Sequence, residues 1–282
     1  MPIRQTLLSL PSFPDAVPER ALESAVTLCQ LLGAGLTAHL GELDGEEAHW
    51  PVVMGAFPLD FPRLMAEMVV KSRAQAAESA AMLPKMAAEY GVALDLRRFV
   101  TTPHAPLDRL VDLARLHDLT ILPVPEADAF DRPCVQTVLF QSGRPVLLLP
   151  SRRKPVTALN RIVIAWDYSR EAARAMADAL PLLALAREVR LVTVFGEKHL
   201  HTTATTGDLE HFLARHGLKY VLDRVSLEEG GIGELLTDYA MDAGADLLVM
   251  GAYGHSRLRQ FVLGGATSHI LRDPPLAVLM SH

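Results

Sequence analysis

The residues of greatest chemical interest are four glycines near the end of the chain. From Asp246 to Leu271 the sequence reads DLLVMGAYGHSRLRQFVLGGATSHIL. An apolar run of strand type leads into Gly251, Gly254, Gly264 and Gly265, and Ala266 and Thr267 then open a helix. Glycines let a backbone approach an anion closely, and a helix start presents free N–H groups and the positive end of its dipole. Such a turn can cradle phosphate, here without the lysine of a P-loop. His255 lies inside it, within reach of phosphate when protonated, and Arg257 and Arg259 follow in the same loop. Thr267 and Ser268 add hydroxyls, for which capping of the helix start competes. One carboxylate belongs with this group: Asp167, in Ala165-Trp166-Asp167-Tyr168-Ser169, directly follows another apolar run. Ser169 is the better candidate for the helix cap there.

The elements that must position these residues occur twice, with a period near 150. The first half predicts a strand from Gln5 to Leu10, then a helix after Pro18 whose apolar stripe is Leu22, Ala25, Val26, Cys29 and Leu32. The second half predicts a strand from Arg161 to Trp166 and a helix carrying Ala172, Ala175, Met176, Ala179 and Leu183. Each helix leads to a strand closed by Gly-Glu, Leu36 to Leu40 and Val189 to Phe195. Third strands open at Gly91 and Gly217, and helices follow at about Leu107 to His117 and Ile232 to Ala243. Fourth strands span Leu119 to Leu122 and Asp246 to Met250, and last strands span Pro145 to Leu149 and Leu276 to Met280. Strands alternating with helices imply right-handed crossovers, and continuous apolar runs imply sheets covered on both faces. The fold class is therefore α/β, with two tandem doubly wound domains, 1–150 and 156–282, each a mostly parallel five-stranded sheet flanked by helices. A basic, proline-bounded linker, Pro150 to Pro155, joins them. Ligands of such sheets sit beyond the carboxyl ends of the strands, which places Asp167 and the glycines on one edge.

Composition excludes other classes. A chain of 282 residues, 50% of them hydrophobic, buries a large core, and a net charge of −6 gives no basic surplus for nucleic acid. No run approaches the roughly 20 apolar residues of a membrane helix, and the first residues lack a signal-peptide pattern. Two cysteines, Cys29 and Cys134, make no disulfide framework; Cys29 belongs to the apolar stripe. The expected location is the cytoplasm.

The C-terminal half resembles the universal stress protein family, whose ATP-binding members carry G-x2-G-x9-G followed by Ser or Thr. Gly251, Gly254 and Gly264 match the glycines, Gly265 replaces the hydroxyl residue, and Thr267 matches a second hydroxyl position. The resemblance assigns Asp167 to the adenosine end of a nucleotide and Val194 to a backbone contact with adenine. Tyr168 stands where the family has glycine, which narrows adenosine entry. The implied ligand is ATP, AMP or ADP, with Mg as an optional companion. The implied role is a nucleotide-binding regulator of the stress response. The alternatives are a nucleotide-independent interaction protein and a weak ATP hydrolase, because no water-activating group accompanies the cradle.

The first half lacks this site. Its fourth strand continues Pro123-Val124-Pro125-Glu126-Ala127-Asp128, where prolines remove N–H donors and Glu126, Asp128 and Asp131 repel phosphate. No aspartate matches Asp167 after Leu10. His199, His201, His211 and His216 raise a metal hypothesis that their spacing does not support, and no metal is expected. The stretch His49 to Phe61, ahead of a helix at Pro62 to Glu89, reads as a packed loop, with a lid or partner surface as the alternative. Protein partners are expected but unnamed. The family pairs through its last strands, so the two closing strands of this chain would pair internally as a pseudo-dimer, and a homodimer is the default further assembly.

Overall fold

Successive side chains of a strand point to opposite faces, and among the described residues ten strands join one sheet with both faces covered. The computed structural model describes residues 2–44, 61–102, 107–124, 132–151, 155–195, 202–227, 229–252 and 265–282. Gly254, His255, Arg257, Arg259 and Gly264 lie outside the described residues, as do most of His49 to Phe61, Gly196-Glu197, His199, His201, Glu126, Asp128, Asp131 and the centre of the linker.

The first half runs β1 (Gln5–Leu10), α1 (Glu19–Leu32), β2 (Gly35–Leu43), α2 (Phe61–Glu89), β3 (Leu94–Thr101), α3 (Asp108–Arg115), β4 (Leu119–Val124), α4 (Arg132–Ser142) and β5 (Val146–Pro150). The second runs β6 (Arg161–Ala165), α5 (Arg170–Leu183), β7 (Glu188–Phe195), α6 (Thr206–Arg215), β8 (Tyr220–Ser226), α7 (Ile232–Asp242), β9 (Leu247–Gly251), α8 (Gly265–Ile270) and β10 (Ala277–Ser281). Strand order is β3-β2-β1-β4-β5-β10-β9-β6-β7-β8. All pairs are parallel except β5 with β10, where Leu148 faces Val278 and Leu147 faces Leu279. The internal pairing expected of the closing strands is thus observed, and the two five-stranded sheets are one. Antiparallel pairing at that seam points the strand carboxyl ends of the two halves to opposite edges.

The helices divide by face rather than by half. Leu22 and Val26 of α1, Ala76 and Leu83 of α2, Ala175 and Ala179 of α5, and Leu209 and Leu213 of α6 share one buried cluster. Leu110 and Ala114 of α3, Val135 and Val138 of α4, Leu236 and Ala240 of α7, and Ile270 of α8 share the other. Each cluster crosses the seam, so two cores, one per face, span the whole chain. Burial of the apolar side chains on those two faces is the main drive for the fold.

Small devices repeat in both halves. Asp118, just before β4, accepts from Arg4 N at 2.9 Å and Gln5 N at 3.1 Å. Asp246, just before β9, accepts from Asn160 N at 2.6 Å and Arg161 N at 3.0 Å. Each aspartate holds the start of its half's first strand against the fourth. Gly91 and Gly217, both at φ +67°, end α2 and α6 in the left-handed conformation that glycine adopts without strain. The repeat is not strictly periodic, because α2 spans 29 residues and its counterpart α6 spans 10. The strand expected to close at Gly41-Glu42 instead continues through them to Leu43. Space explains Gly41: a Cβ there would lie 3.0 Å from Phe99 Cζ. No helix among the described residues is long and apolar enough to cross a membrane.

Candidate functional site

In each half the chain leaves the first and fourth strands toward opposite faces, and these two strands are neighbours. After β6 comes α5 on one face, and after β9 comes α8 on the other. The crevice between them is the switch point at which doubly wound sheets bind ligands. β6 pairs with β9 through Ile162, Val163 and Ile164 opposite Leu247, Leu248 and Val249, so Asp167 and Gly251 emerge on one edge. Sequence spacing alone brought them there only by inference; the register makes it a fact.

β6 ends short, and that leaves a notch. Its last paired residue, Ala165, faces Val192, whereas β7 continues to Phe195. Trp166 N donates to Val192 O at 2.9 Å. Val194, two residues on, presents its main-chain N–H and C=O on the same side as Val192, because strand groups repeat every second residue. Among the described residues no main-chain hydrogen bond joins Val194 to the segment following β6. Its side chain packs into the face shared by α7 and α8. The main chain of Val194, not its side chain, therefore borders the crevice.

Asp167 is half-buried and turned onto its own backbone. Its Oδ1 accepts from Ser169 N at 2.9 Å, and Ser169 Oγ in turn accepts from Ala172 N at 3.0 Å, capping α5. Between them Tyr168 sits at φ +60°, the only described non-glycine residue in the left-handed region. That conformation costs roughly 1–2 kcal/mol for an L residue and supplies the reason glycine suits this position. The Tyr168 ring packs edge-on against Trp166, with centroids 5.4 Å apart. It also walls a cleft of about 270 Å³ over the ends of β7 and β8, with Thr193, Phe195, Thr205 and Arg224. Arg224 donates to Thr206 Oγ1 at 3.0 Å and lies 5.7 Å from the Phe195 ring centre. Sequence reasoning did not single out Thr193, Phe195 or Arg224. No local pattern marks them, because Thr193 and Phe195 of β7 and Arg224 of β8 border open space only where β6 stops short.

The glycines separate into different roles. A Cβ on Gly251 would lie 2.4 Å from the carbonyl carbon of Glu171 and 2.5 Å from Ala172 N, so the first turn of α5 sits directly on it. Packing alone thus demands glycine at 251. Gly265 is the opposite case: a Cβ there meets no atom of the described residues within 4 Å. It is exposed at the first position of α8, Ser268 is half-buried, and Thr267 is buried. α8 is held in place from behind, where Gly233 of α7 lets Ala266 and His269 approach closer than any Cβ would allow. His211 lies on α6 and His216 tilts onto Phe212 at 4.5 Å.

Comparison with known proteins follows the same division of the chain. The profile of the universal stress protein family matches residues 158–282. The universal stress protein Slr1230 of Synechocystis is 29% identical over 147 residues, covering 51% of this chain and 49% of that protein, so the match spans about half of that relative's length. A universal stress protein structure from Archaeoglobus fulgidus superposes over 98% of this chain and 95% of its own, with TM-score 0.66 and 14% identity. A protein of unknown function from Pseudomonas aeruginosa superposes over 99% of this chain and 92% of its own, with TM-score 0.63 and 15% identity. At those identities the structures share the fold alone, but they share it across both halves. The C-terminal half of the chain is thus similar in sequence to the universal stress protein family, and the N-terminal half repeats the same doubly wound fold.

Proposed function

We propose that the C-terminal half binds one adenine nucleotide per chain in the β6–β9 crevice. The observation that carries this reading is the notch left where β6 stops while β7 continues, exposing the main chain of Val194 beside Asp167. A donor and an acceptor on one strand edge suit the edge of a purine. Asp167 and the strained turn at Tyr168 border the adenosine end. The phosphates run toward the open start of α8, at Gly265 and Ser268, with Gly254, His255 and Gly264 of the preceding loop; Thr267, buried in the helix, supports that turn. Mg accompanies ATP at the phosphate end. Binding shifts the site between empty and filled states that a partner protein reads, and no catalytic step is part of the reading.

Calorimetric titration of nucleotide-stripped protein with ATP and Mg is the test, expected to give one site per chain. Gly265→Glu introduces a carboxylate at a helix start, where an added Cβ meets no atom of the described residues, so the fold should stay intact. It should weaken ATP about tenfold or more by repulsion. Unchanged affinity would remove the phosphates from α8, and the absence of wild-type binding would leave the interaction-protein reading in first place.

A further inference from the structure

The N-terminal half has its own switch point, between β1 and β4, and it is hollow. Here too the first strand stops early: β1 ends at Leu10 opposite Leu40, and β2 continues to Leu43. The space beyond β1 is a cavity of about 590 Å³. That volume is typical of small-molecule sites. The expectation of one phosphate site per chain does not extend to it, because its chemistry is different.

Its long walls are apolar. Leu10, Val17, Leu43, Phe99, Leu122 and Val135 line it. At the β2–β3 end, His39 stacks on Phe99, with ring centroids 3.7 Å apart and planes 7° from parallel. His39 is only 4% exposed. Burial, with the nearby guanidiniums of Arg109 and Arg97, pushes its pKa down to about 4, so it presents a neutral ring. Arg97 is paired with Asp95 at 2.6 Å. Arg109, which lines the cavity and is exposed, has no carboxylate partner among the described residues. The β5 end carries a different group. Ser151 lines the cavity, is 8% exposed, and its Oγ has no hydrogen-bond partner among the described residues. A buried hydroxyl without a partner costs about 1–3 kcal/mol, a deficit that a ligand atom would relieve.

The two ends are well separated. Three strand spacings lie between β2 and β5, roughly 14 Å. We propose that this cavity binds an elongated, planar, apolar small molecule with a carboxylate at the Arg109 end and a hydroxyl or carbonyl group at the Ser151 end. The stacked His39–Phe99 pair receives the planar part. Nucleotides are disfavoured, since Pro11 and Pro123 at the strand ends offer no N–H to phosphate.

The probe is 6-hydroxy-2-naphthoate, compared with 2-naphthoate and 2-naphthol. Cys134 lines the cavity and is half-buried, so its alkylation by N-ethylmaleimide reports occupancy. Cys29, the other cysteine, is fully buried and its thiol is pushed up to about 11, so it does not interfere. The expected result is saturable binding at one per chain, with Cys134 alkylation slowed about fivefold or more at saturation. Arg109→Gln, an exposed substitution that the fold tolerates, should weaken 2-naphthoate about fivefold and leave 2-naphthol unchanged. Ser151→Ala should weaken the hydroxylated probe while sparing 2-naphthoate. ATP should not compete, because the two crevices open on opposite edges of the sheet. Absence of saturable binding, binding that leaves Cys134 unprotected, or binding indifferent to both substitutions would overturn the assignment.

Discussion

Tyr168 shows how a single residue can hold a site in a conformation its chemistry disfavours. Its φ of +60° is imposed from both sides, by the Asp167 carboxylate accepting from Ser169 N and by the Ser169 hydroxyl capping α5. Strain of this kind persists where the surroundings over-determine it, and it concentrates at ligand sites. Replacing Tyr168 separates the ring from the backbone. Tyr168→Ala and Tyr168→Gly both lose the contact with Trp166, but only the alanine variant keeps the left-handed cost. The glycine variant should therefore be the more stable of the two by about 1 kcal/mol in urea unfolding, after glycine's larger unfolded-state entropy is set against the relief. An alanine variant of equal or greater stability would mean that the turn relaxes freely. The residue scale is also where the sequence was most legible in the C-terminal half. Asp167 and the glycines stood out because few residue types serve such turns. Thr193, Phe195 and Arg224 did not, because residues of those types at strand ends are ordinary until a neighbouring strand stops short of them.

At the scale of elements, the glycines after β9 separate into packing and access. α5 crosses so close to the end of β9 that Gly251 is in contact with backbone atoms of Glu171 and Ala172, which cannot move without displacing the helix. Gly251→Ala should cost about 2 kcal/mol by overpacking, whereas Gly265→Ala, at the start of α8 with no described atom near its Cβ, should leave the urea midpoint unchanged. A loss of ATP binding in the first variant would thus report a displaced α5, and only the second variant tests phosphate approach. Reading spacing alone merged these two glycines into one motif. Helix and strand order were recovered from periodicity, with boundaries shifted by a residue or a few. The exceptions were α4, which was not anticipated, and β2, which runs through a Gly-Glu pair because Phe99 of the next strand fills the space over Gly41.

At the scale of the whole molecule, the seam between β5 and β10 is what makes one body of two halves. Both faces of β10 are buried, and its edge is covered by β5. Residues 156–282 expressed alone would expose that edge and the apolar side chains beside it. The fragment should dimerise through β10 in antiparallel register, measured as a doubled mass by light scattering, while the full chain keeps the seam internal. A monomeric fragment would show that the seam adds little to association. The sequence by itself determined the α/β class and the doubled order of elements, since these rest on local periodicity. Only the tertiary structure decided that the cores run along faces rather than within halves. It alone showed that β1 and β6 each stop short beside a longer neighbour, and that the N-terminal half is hollow beyond β1. Pairing register and the space left where a strand ends depend on residues far apart in the chain, and no local pattern records them.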